Sequence, residues 1–375
     1  MDTQRKTVRV GLIGAGFMGR CHANAFRSVG GLFDLPADIE LSCLADISEE
    51  SAAKNARQFG FARSTGDWKT LTCDPEIDLV AITAPNIFHE PMALDAIAHG
   101  KTVYCEKPLS TTSSSAIRMT KAAEAAGVTT LVGFNFLRNP ILKLAREMIS
   151  AGELGEVVAF RGRHAENYMA KGTEPHSFRT DPQGGGALDD IGSHIISLAR
   201  YLIGPFSDVS ATLRTIYPER PVSAGSPEMR AVEVDDMAHA AVRFTNGASG
   251  TIEANWAATG KTMDLSFEIT GTKGSVLFSQ ERMNELHVWT NDGPGRSGFK
   301  KLETGPDHPP YGHFCPAPGH QLGFNDLKII EVAELIDAHV RGINGFPDFR
   351  EATEVQSTID AMKLSSKTAQ WQRVS

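Results

Sequence analysis

The stretch Tyr104-Cys105-Glu106-Lys107-Pro108-Leu109-Ser110 sets an acid, a cationic amine and a rigid imino acid in succession, directly after the apolar run from Thr102 to Cys105. At the carboxyl end of a buried strand, an ammonium can hydrogen-bond a substrate hydroxyl and stabilise the alkoxide that develops as its proton leaves. Glu106 is placed to hold that lysine or a ribose hydroxyl, and Pro108 fixes the turn, with a cis Lys107–Pro108 bond expected. A second pair stands in GGGALDDIGSHIISLARYLIG, where Asp190 and His194 lie four residues apart among Ile191, Ile195, Leu198 and Leu202 at helical spacing. That separation puts both side chains on one helical face. Imidazole titrates near neutral pH, so His194 reads as the base that removes a hydroxyl proton, with Asp190 orienting the substrate and supporting the ring. Asp189 points about 100° away around the same helix. Taken alone, an Asp–His pair at this spacing also fits a structural ion pair.

A third constellation supplies what the pair lacks, a redox partner. In GLIGAGFMGRCHANAF the glycines Gly14, Gly16 and Gly19 form G-x-G-x-x-G between an apolar strand and a helical pattern. Gly14 permits the tight turn, Gly16 lets the backbone approach a pyrophosphate, Gly19 allows close helix–strand packing, and the helix N-terminus offers amide donors to the phosphates. Phe17 and Met18 lie within that turn as candidate cofactor contacts. The next apolar strand, IELSCLAD, ends at Asp46, whose carboxylate accepts hydrogen bonds from ribose hydroxyls and repels a 2′-phosphate. Ile47 and Ser48 follow rather than an arginine, which favours NAD over NADP. As an alternative Asp46 caps the helix that follows, a task Ser48 performs equally well. Thr83, Pro85, Asn86 and His89 in TAPNIFHEPMAL and Asn135 beyond VTTLVGF complete the candidate cofactor set, with His89 open to a simple capping role.

Such groups need a scaffold that brings strand ends together. From Thr7 to about Gly133, β-branched runs (TVRVGLI, IELSCLAD, IDLVAIT, KTVYC, VTTLVGF) alternate with helical stretches. Near-continuous apolar runs mark strands buried on both faces, hence a doubly wound parallel α/β sheet of Rossmann type, expected over residues 1–134. From 135 to 375 the strands lengthen and alternate (EVVAFRGRH, DVSATLRTIYP, DDMAHAAVRFTNGASGTIEANWA, LSFEITGTKGSVLFSQ, ELHVWT), which argues for an antiparallel sheet with one covered face in an α+β domain. The helices in PILKLAREMISAG, NDLKIIEVAELIDAHV and EATEVQSTIDAMKLSSKTAQ can pack on either domain.

Composition narrows the function classes. A chain of 375 residues is expected to form two domains. Its net charge of −8 and lack of a Lys/Arg run argue against nucleic acid as partner. MDTQRKTVRVGLIG lacks the apolar core of a secretory signal, and no apolar stretch spans a bilayer, so a soluble cytoplasmic protein is expected. Five widely spaced cysteines without a C-x-x-C pair are expected as reduced thiols. His313, Cys315 and His320 lack a fourth clustered ligand and do not read as a metal site. Substrate specificity is expected from RHAENYMAKGTEPHSFRTDPQ and GPDHPPYGHFCPAPGHQLGFND, polar and aromatic mixtures suited to hydroxyl-rich ligands. His164, Glu166, Tyr168, Arg179 and His320 are the candidates there, beside Lys107, Asp190 and His194.

G-x-G-x-x-G on the first strand, E-K-P on the fifth and the later D-x-x-x-H together resemble the Gfo/Idh/MocA oxidoreductases, across nearly the whole chain. VGLIGAGFMGRCHA, GFARSTGDW, GGGALDDIGSHIISLARYLIG, YPERP and GPDHPPYG are most similar to the branch of levoglucosan dehydrogenases and sugar 3-dehydrogenases. The chain departs from the levoglucosan type in carrying His164 and Tyr168 in its first specificity segment. The resemblance implies a large, open, mostly antiparallel second sheet whose exposed face forms a homodimer or homotetramer. It also implies NAD-dependent oxidation of a secondary hydroxyl of a cyclic polyol (a pyranose, an anhydrosugar such as levoglucosan, or inositol) to a ketone by Lys107, Asp190 and His194. Two alternatives within the resemblance are redox-assisted glycoside cleavage with NAD recycled, and a non-catalytic dinucleotide-binding regulator; the presence of Lys107, Asp190 and His194 together argues against the regulator.

Overall fold

The computed structural model describes residues 5–374; Met1–Gln4, part of the stretch read above for a secretory signal, lie outside the described residues. The chain divides into two compact units, one formed by the residues up to Arg138 with Gly323–Thr353, the other by Asn139–Leu322 with Glu354–Ser375. The expected division at 134 separates the two sheets, but Gly323–Thr353 returns to the first unit.

In the first unit β1 (Thr7–Ile13), β2 (Asp38–Ala45), β3 (Arg63–Thr65), β4 (Leu79–Ile82), β5 (Thr102–Cys105) and β6 (Thr130–Val132) form a parallel sheet in the order β3-β2-β1-β4-β5-β6. This is the dinucleotide-binding order, with its crevice where the winding reverses between β1 and β4. Every residue of β4 and β5 is buried, as the unbroken apolar runs require. Each such Val, Ile or Leu contributes about 1.5–3 kcal/mol by leaving water. Register does the positioning: Ile13 pairs with Ile82 and Ile82 with Cys105, so Gly14, Thr83 and Glu106 emerge side by side at the carboxyl edge. The helices α1 (Phe17–Ser28), α2 (Glu49–Phe59), α3 (Trp68–Thr72), α4 (His89–Ala98) and α5 (Ser113–Ala126) connect these strands.

The second unit opens with α6 (Pro140–Ser150) and β7 (Val157–Ala165), then α7 (Ser193–Ile203), β8 (Phe206–Arg214) and a small hairpin of β9 (Glu219–Pro221) and β10 (Met229–Ala231). β11 (Met237–Phe244), β12 (Ser249–Asn255), β13 (Asp264–Gly271), β14 (Ser275–Ser279), β15 (Glu285–Thr290), β16 (Gly298–Glu303) and β17 (Gln372–Arg373) complete its strands. Nine of them build one sheet in the order β16-β15-β14-β13-β7-β12-β11-β8-β17, antiparallel except for the pair β7–β12. Burial alternates strictly along β11, so one face is covered. α7 lies on that covered face against β7, β12 and β13. Gly162 in β7 makes this possible, since a Cβ there would stand 2.8 Å from Ile195 of α7. The opposite face carries Arg161, Glu268 and His239, and its concavity encloses about 900 Å³.

α8 (Phe324–Arg341) belongs to the first unit and packs on α1. α9 (Phe349–Thr368) begins in the first unit and continues in the second. Among the described residues no helix is long and apolar enough to cross a membrane.

Candidate active site

The glycine turn has the geometry its spacing predicts. Gly14 adopts φ +95°, and a Cβ on Gly19 would stand 2.2 Å from the Gly14 carbonyl oxygen, so neither position accepts a larger residue without displacement. Thr83 donates its hydroxyl to the carbonyl oxygens of Gly14 (2.8 Å) and Ile13 (3.0 Å), which makes it a brace for the turn. Gly16 begins α1 with no side-chain cap and no acidic residue in the first turn, leaving the helix's leading N–H groups for an anion. Phe17 is exposed and stacks on Phe324 of α8; Met18 is partly buried beside it.

Asp46 closes β2 as expected. Its Oδ2 accepts from the Ser51 hydroxyl (2.5 Å) and Asn55 Nδ2 (3.3 Å), which fixes the carboxylate, while Oδ1 has no hydrogen-bond partner among the described residues. Ser48, not Asp46, caps α2, accepting from Ser51 N–H. Ile47 is 94% exposed beside it.

The loop after β4 places Pro85 exposed and Asn86 partly buried in a short 3₁₀ turn, Asn86–Phe88. His89 differs from the sequence reading. It is fully buried, and its imidazole spans the carbonyl oxygens of Ala84 and Pro108, 2.9 Å from each, clamping this loop to the Lys107–Pro108 turn. Burial pushes its pKa down, while the two carbonyls pull it up. Lys107 is partly exposed, and its bond to Pro108 is cis as anticipated. Asn135 is buried, and its Nδ2 has no hydrogen-bond partner among the described residues, a donor left over for a ligand.

Glu106 corrects the expectation that it holds Lys107's ammonium or a ribose hydroxyl. The carboxylate turns inward: Oε1 accepts from His22 Nε2 of α1 (2.7 Å) and from Lys328 Nζ of α8 (2.9 Å), and Oε2 faces the backbone N–H of Lys107 at 3.3 Å. Lys328 is itself fully buried and also donates to Glu331 Oε2 (2.7 Å) and Tyr104 Oη (3.0 Å). Burial pushes the Glu106 carboxyl up, but Lys328 and His22 outweigh it and hold the group well below the usual carboxylate range. Burial and the Lys328 charge push His22 down, so it is a neutral donor here. Lys328 and Glu331 carried one sequence signal, two opposite charges three residues apart inside an otherwise apolar helical stretch. His22 and Tyr104 carried none.

In the second unit the candidate pair Asp190 and His194 is set by backbone geometry. Residues Leu188–Gly192 form a π-helical turn that runs into α7, so the segment from Asp190 to His194 is not the uninterrupted α-helix that the spacing implied. Such widened turns frequently occur at functional sites. Asp235 accepts the Leu188 N–H at 2.9 Å and pins the start of this turn. Asp189 points away from Asp190 and pairs with half-buried Lys363 at 2.6 Å, whereas the partly exposed Asp190 meets Tyr168. Asp190 Oδ2 takes hydrogen bonds from Tyr168 Oη (2.9 Å) and Arg179 Nε (2.9 Å). Burial and the Asp190 charge raise the Tyr168 hydroxyl well above its ordinary pKa, keeping it a donor. His194 is buried with its ring 5.5 Å from that of His164, whose Nδ1 lies 2.8 Å from the Ile191 carbonyl oxygen and Nε2 2.9 Å from Glu166 Oε1.

The structure thus gathers Tyr168, Arg179 and Asp190 directly, with His164, Glu166 and His194 next to them. His320 does not join them: it is exposed, with Nδ1 3.3 Å from the Ala317 carbonyl oxygen of its own loop. Among the described residues, no group of three or more His, Cys, Asp or Glu is placed to hold a metal ion. Asp235 and Lys363 had no distinguishing sequence signal.

A parallel sheet in this order, an uncapped helix behind a glycine turn and a fixed carboxylate at the end of β2 define a protein built to bind NAD. Residues 8–134 match the model of an oxidoreductase family with an NAD-binding Rossmann fold, and residues 142–277 match that of the Gfo/Idh/MocA C-terminal domain. The chain is 37% identical to levoglucosan dehydrogenase of Pseudarthrobacter phenanthrenivorans, covering 98% of each chain. It is 28% identical to the NAD-dependent scyllo-inositol 2-dehydrogenase of Bacillus subtilis, over 76% of this chain and 78% of that one. A solved levoglucosan dehydrogenase in complex with NADH and levoglucosan superposes with a TM-score of 0.95 at 38% identity, covering 98% of this chain and 100% of that one. The chain belongs to the Gfo/Idh/MocA family and is an NAD-binding oxidoreductase.

Proposed function

We propose that the protein is an NAD-dependent dehydrogenase that oxidises one secondary hydroxyl of a pyranose, an anhydrosugar such as levoglucosan, or an inositol to a ketone. The observation that carries this reading is the constellation around Asp190: a carboxylate held by Tyr168 and Arg179 one turn before a buried imidazole, in a chain 37% identical to a levoglucosan dehydrogenase. A polyhydroxylated ring needs such convergent, pre-oriented donors and acceptors to hold one carbon in place.

NAD, when bound, supplies the acceptor for the carbon-bound hydrogen. In this proposal Lys107 donates a hydrogen bond to the reacting hydroxyl oxygen and stabilises its developing negative charge. His194 takes the hydroxyl proton on a ring nitrogen, and Asp190 orients substrate and imidazole. His164, Glu166, Tyr168 and Arg179 set which sugar fits. A homodimer or homotetramer through the open face of the second sheet is part of the same proposal, supported by the large concavity there. A cytoplasmic setting is supported by five free cysteines.

The test is NADH formation from NAD with a panel of levoglucosan, free hexoses, methyl glycosides and inositols, with Lys107→Ala as control. A signal from one class, lost in the variant, is expected. Glycoside cleavage without net NADH would overturn the dehydrogenase reading in favour of redox-assisted hydrolysis.

A further inference from the structure

Lys328 lies in α8, more than two hundred residues beyond the lysine that the proposed chemistry uses, yet it ends at the residue immediately before it. Its ammonium is fully buried and donates to Glu106 Oε1, Glu331 Oε2 and Tyr104 Oη, which together take all three of its protons. His22 adds a second donor to Glu106 Oε1 and stacks on Tyr104 with ring centroids 4.4 Å apart. The slot is closed from a third side, since a Cβ on Gly133 would stand 2.7 Å from the same oxygen. A carboxylate under two donors, one of them cationic, cannot rotate without losing a charge-assisted hydrogen bond.

A purely stabilising role explains this poorly. Burying two carboxylates and an ammonium costs each ion several kcal/mol of hydration, and apolar residues of similar size usually serve stability as well or better. What the ions provide and apolar residues do not is a fixed direction. Glu106 Oε2 faces the N–H of Lys107, and at the far side of the same turn His89 faces the Pro108 carbonyl oxygen. The turn that carries Lys107 is therefore held at both ends by buried polar groups. His22 belongs to α1, so Glu106 also ties the phosphate-binding helix to this turn.

Resting on the reading of Lys107 as a catalytic residue, we propose that Lys328 is a positioning residue that acts through Glu106 to fix the Lys107 ammonium. Removing Lys328 alone would strand two buried carboxylates, so the informative variant is the charge-balanced pair Lys328→Met with Glu331→Gln; His22→Phe removes the other donor and serves if the pair does not melt cooperatively. In the full-length protein the expected result is a loss in kcat of about 10- to 100-fold, with NADH affinity by fluorescence titration within about twofold of wild type. Independently of turnover, reductive ¹³C-methylation gives Lys107 its own NMR resonance, assigned by its absence in Lys107→Ala. That resonance shifts in the variant when Lys328 positions Lys107. An unchanged kcat, or a fall in kcat with the Lys107 resonance unmoved, overturns the proposal. Full kcat in Lys107→Ala instead overturns the catalytic reading of Lys107 itself, a separate result.

Discussion

Arg179 and Tyr168 meet on a single oxygen of Asp190, each at 2.9 Å, and the guanidinium also lies over the Tyr168 ring at 5.5 Å. A carboxylate gripped this way keeps one orientation, with its other oxygen directed elsewhere. Tyr168→Phe deletes one charge-assisted hydrogen bond, worth about 1.5–3 kcal/mol, and keeps the ring against Trp256. The expected outcome is kcat/KM for the sugar about 10- to 150-fold lower, with NADH affinity and thermal stability near wild type. Arg179→Met should cost more, because it also removes the charge and the stacking plane. Steady-state kinetics beside NADH fluorescence titrations check both; unaltered kcat/KM in the two variants would detach Asp190 from the chemistry.

On the proposed reading Asp46 sets which dinucleotide fits. Its carboxylate, fixed by Ser51 and Asn55, would repel a 2′-phosphate, and exposed Ile47 offers no cation to a phosphate. Asp46→Ser with Ile47→Arg removes the repulsion and adds a partner. The ratio of kcat/KM for NADP to that for NAD should rise about 100-fold. A ratio that stays at the wild-type value would place the ribose elsewhere.

The cofactor end of the fold was legible because its determinants are local. Gly14, Gly16 and Glu106-Lys107-Pro108 each follow a strand within three residues, and parallel register then sets the strand ends side by side. The polar–aromatic segment containing His164, Glu166, Tyr168 and Arg179 was legible as chemistry but not as geometry. It reaches Asp190 because β7 pairs with β12, some ninety residues on, and the backbone of Glu166 bonds to that of Asn255. Lys328 and His22 could not be found this way: their partner is Glu106, and nothing in periodicity joins positions 22, 106 and 328. The π-turn at Leu188–Gly192 escaped for a similar reason, since it depends on Asp235 reaching Leu188 across the fold. His320, a residue type suited to sugar binding, sits exposed on its own loop and makes no contact with the cluster around Asp190.

Gly19 tests whether the turn is as tight as it looks. A methyl group there would stand 2.2 Å from the Gly14 carbonyl oxygen, a backbone atom that cannot swing aside as a flexible side chain would. Gly19→Ala must therefore push α1 off β1 or distort the phosphate turn. Overpacking of this kind costs about 1–3 kcal/mol, and NADH affinity should fall at least about tenfold as the amide donors move. Thermal melting with and without NADH separates the two effects, and a variant that binds NADH normally would contradict the role assigned to the turn.

Asp235 makes stability depend on pH near neutrality. Its carboxyl is pushed from 3.8 up to about 7, first by burial and then by the nearby Asp189 charge, against the pull of the Leu188 N–H and Lys363. Between these values the folded protein holds a proton that the unfolded chain has released. The unfolded state thus binds fewer protons, and stability falls as pH rises through this interval, levelling off above about 7. The shift corresponds to at most about 4 kcal/mol. Asp189 is also raised by burial and adds the same sign, while Lys363 opposes it. Asp235→Asn keeps an oxygen for the Leu188 N–H but cannot ionise. Melting temperatures from pH 5 to 8 should decline in the wild type and stay flatter in the variant, which becomes the more stable protein at the alkaline end. Parallel curves would mean that Asp235 is already ionised at pH 5, with Lys363 serving both carboxylates.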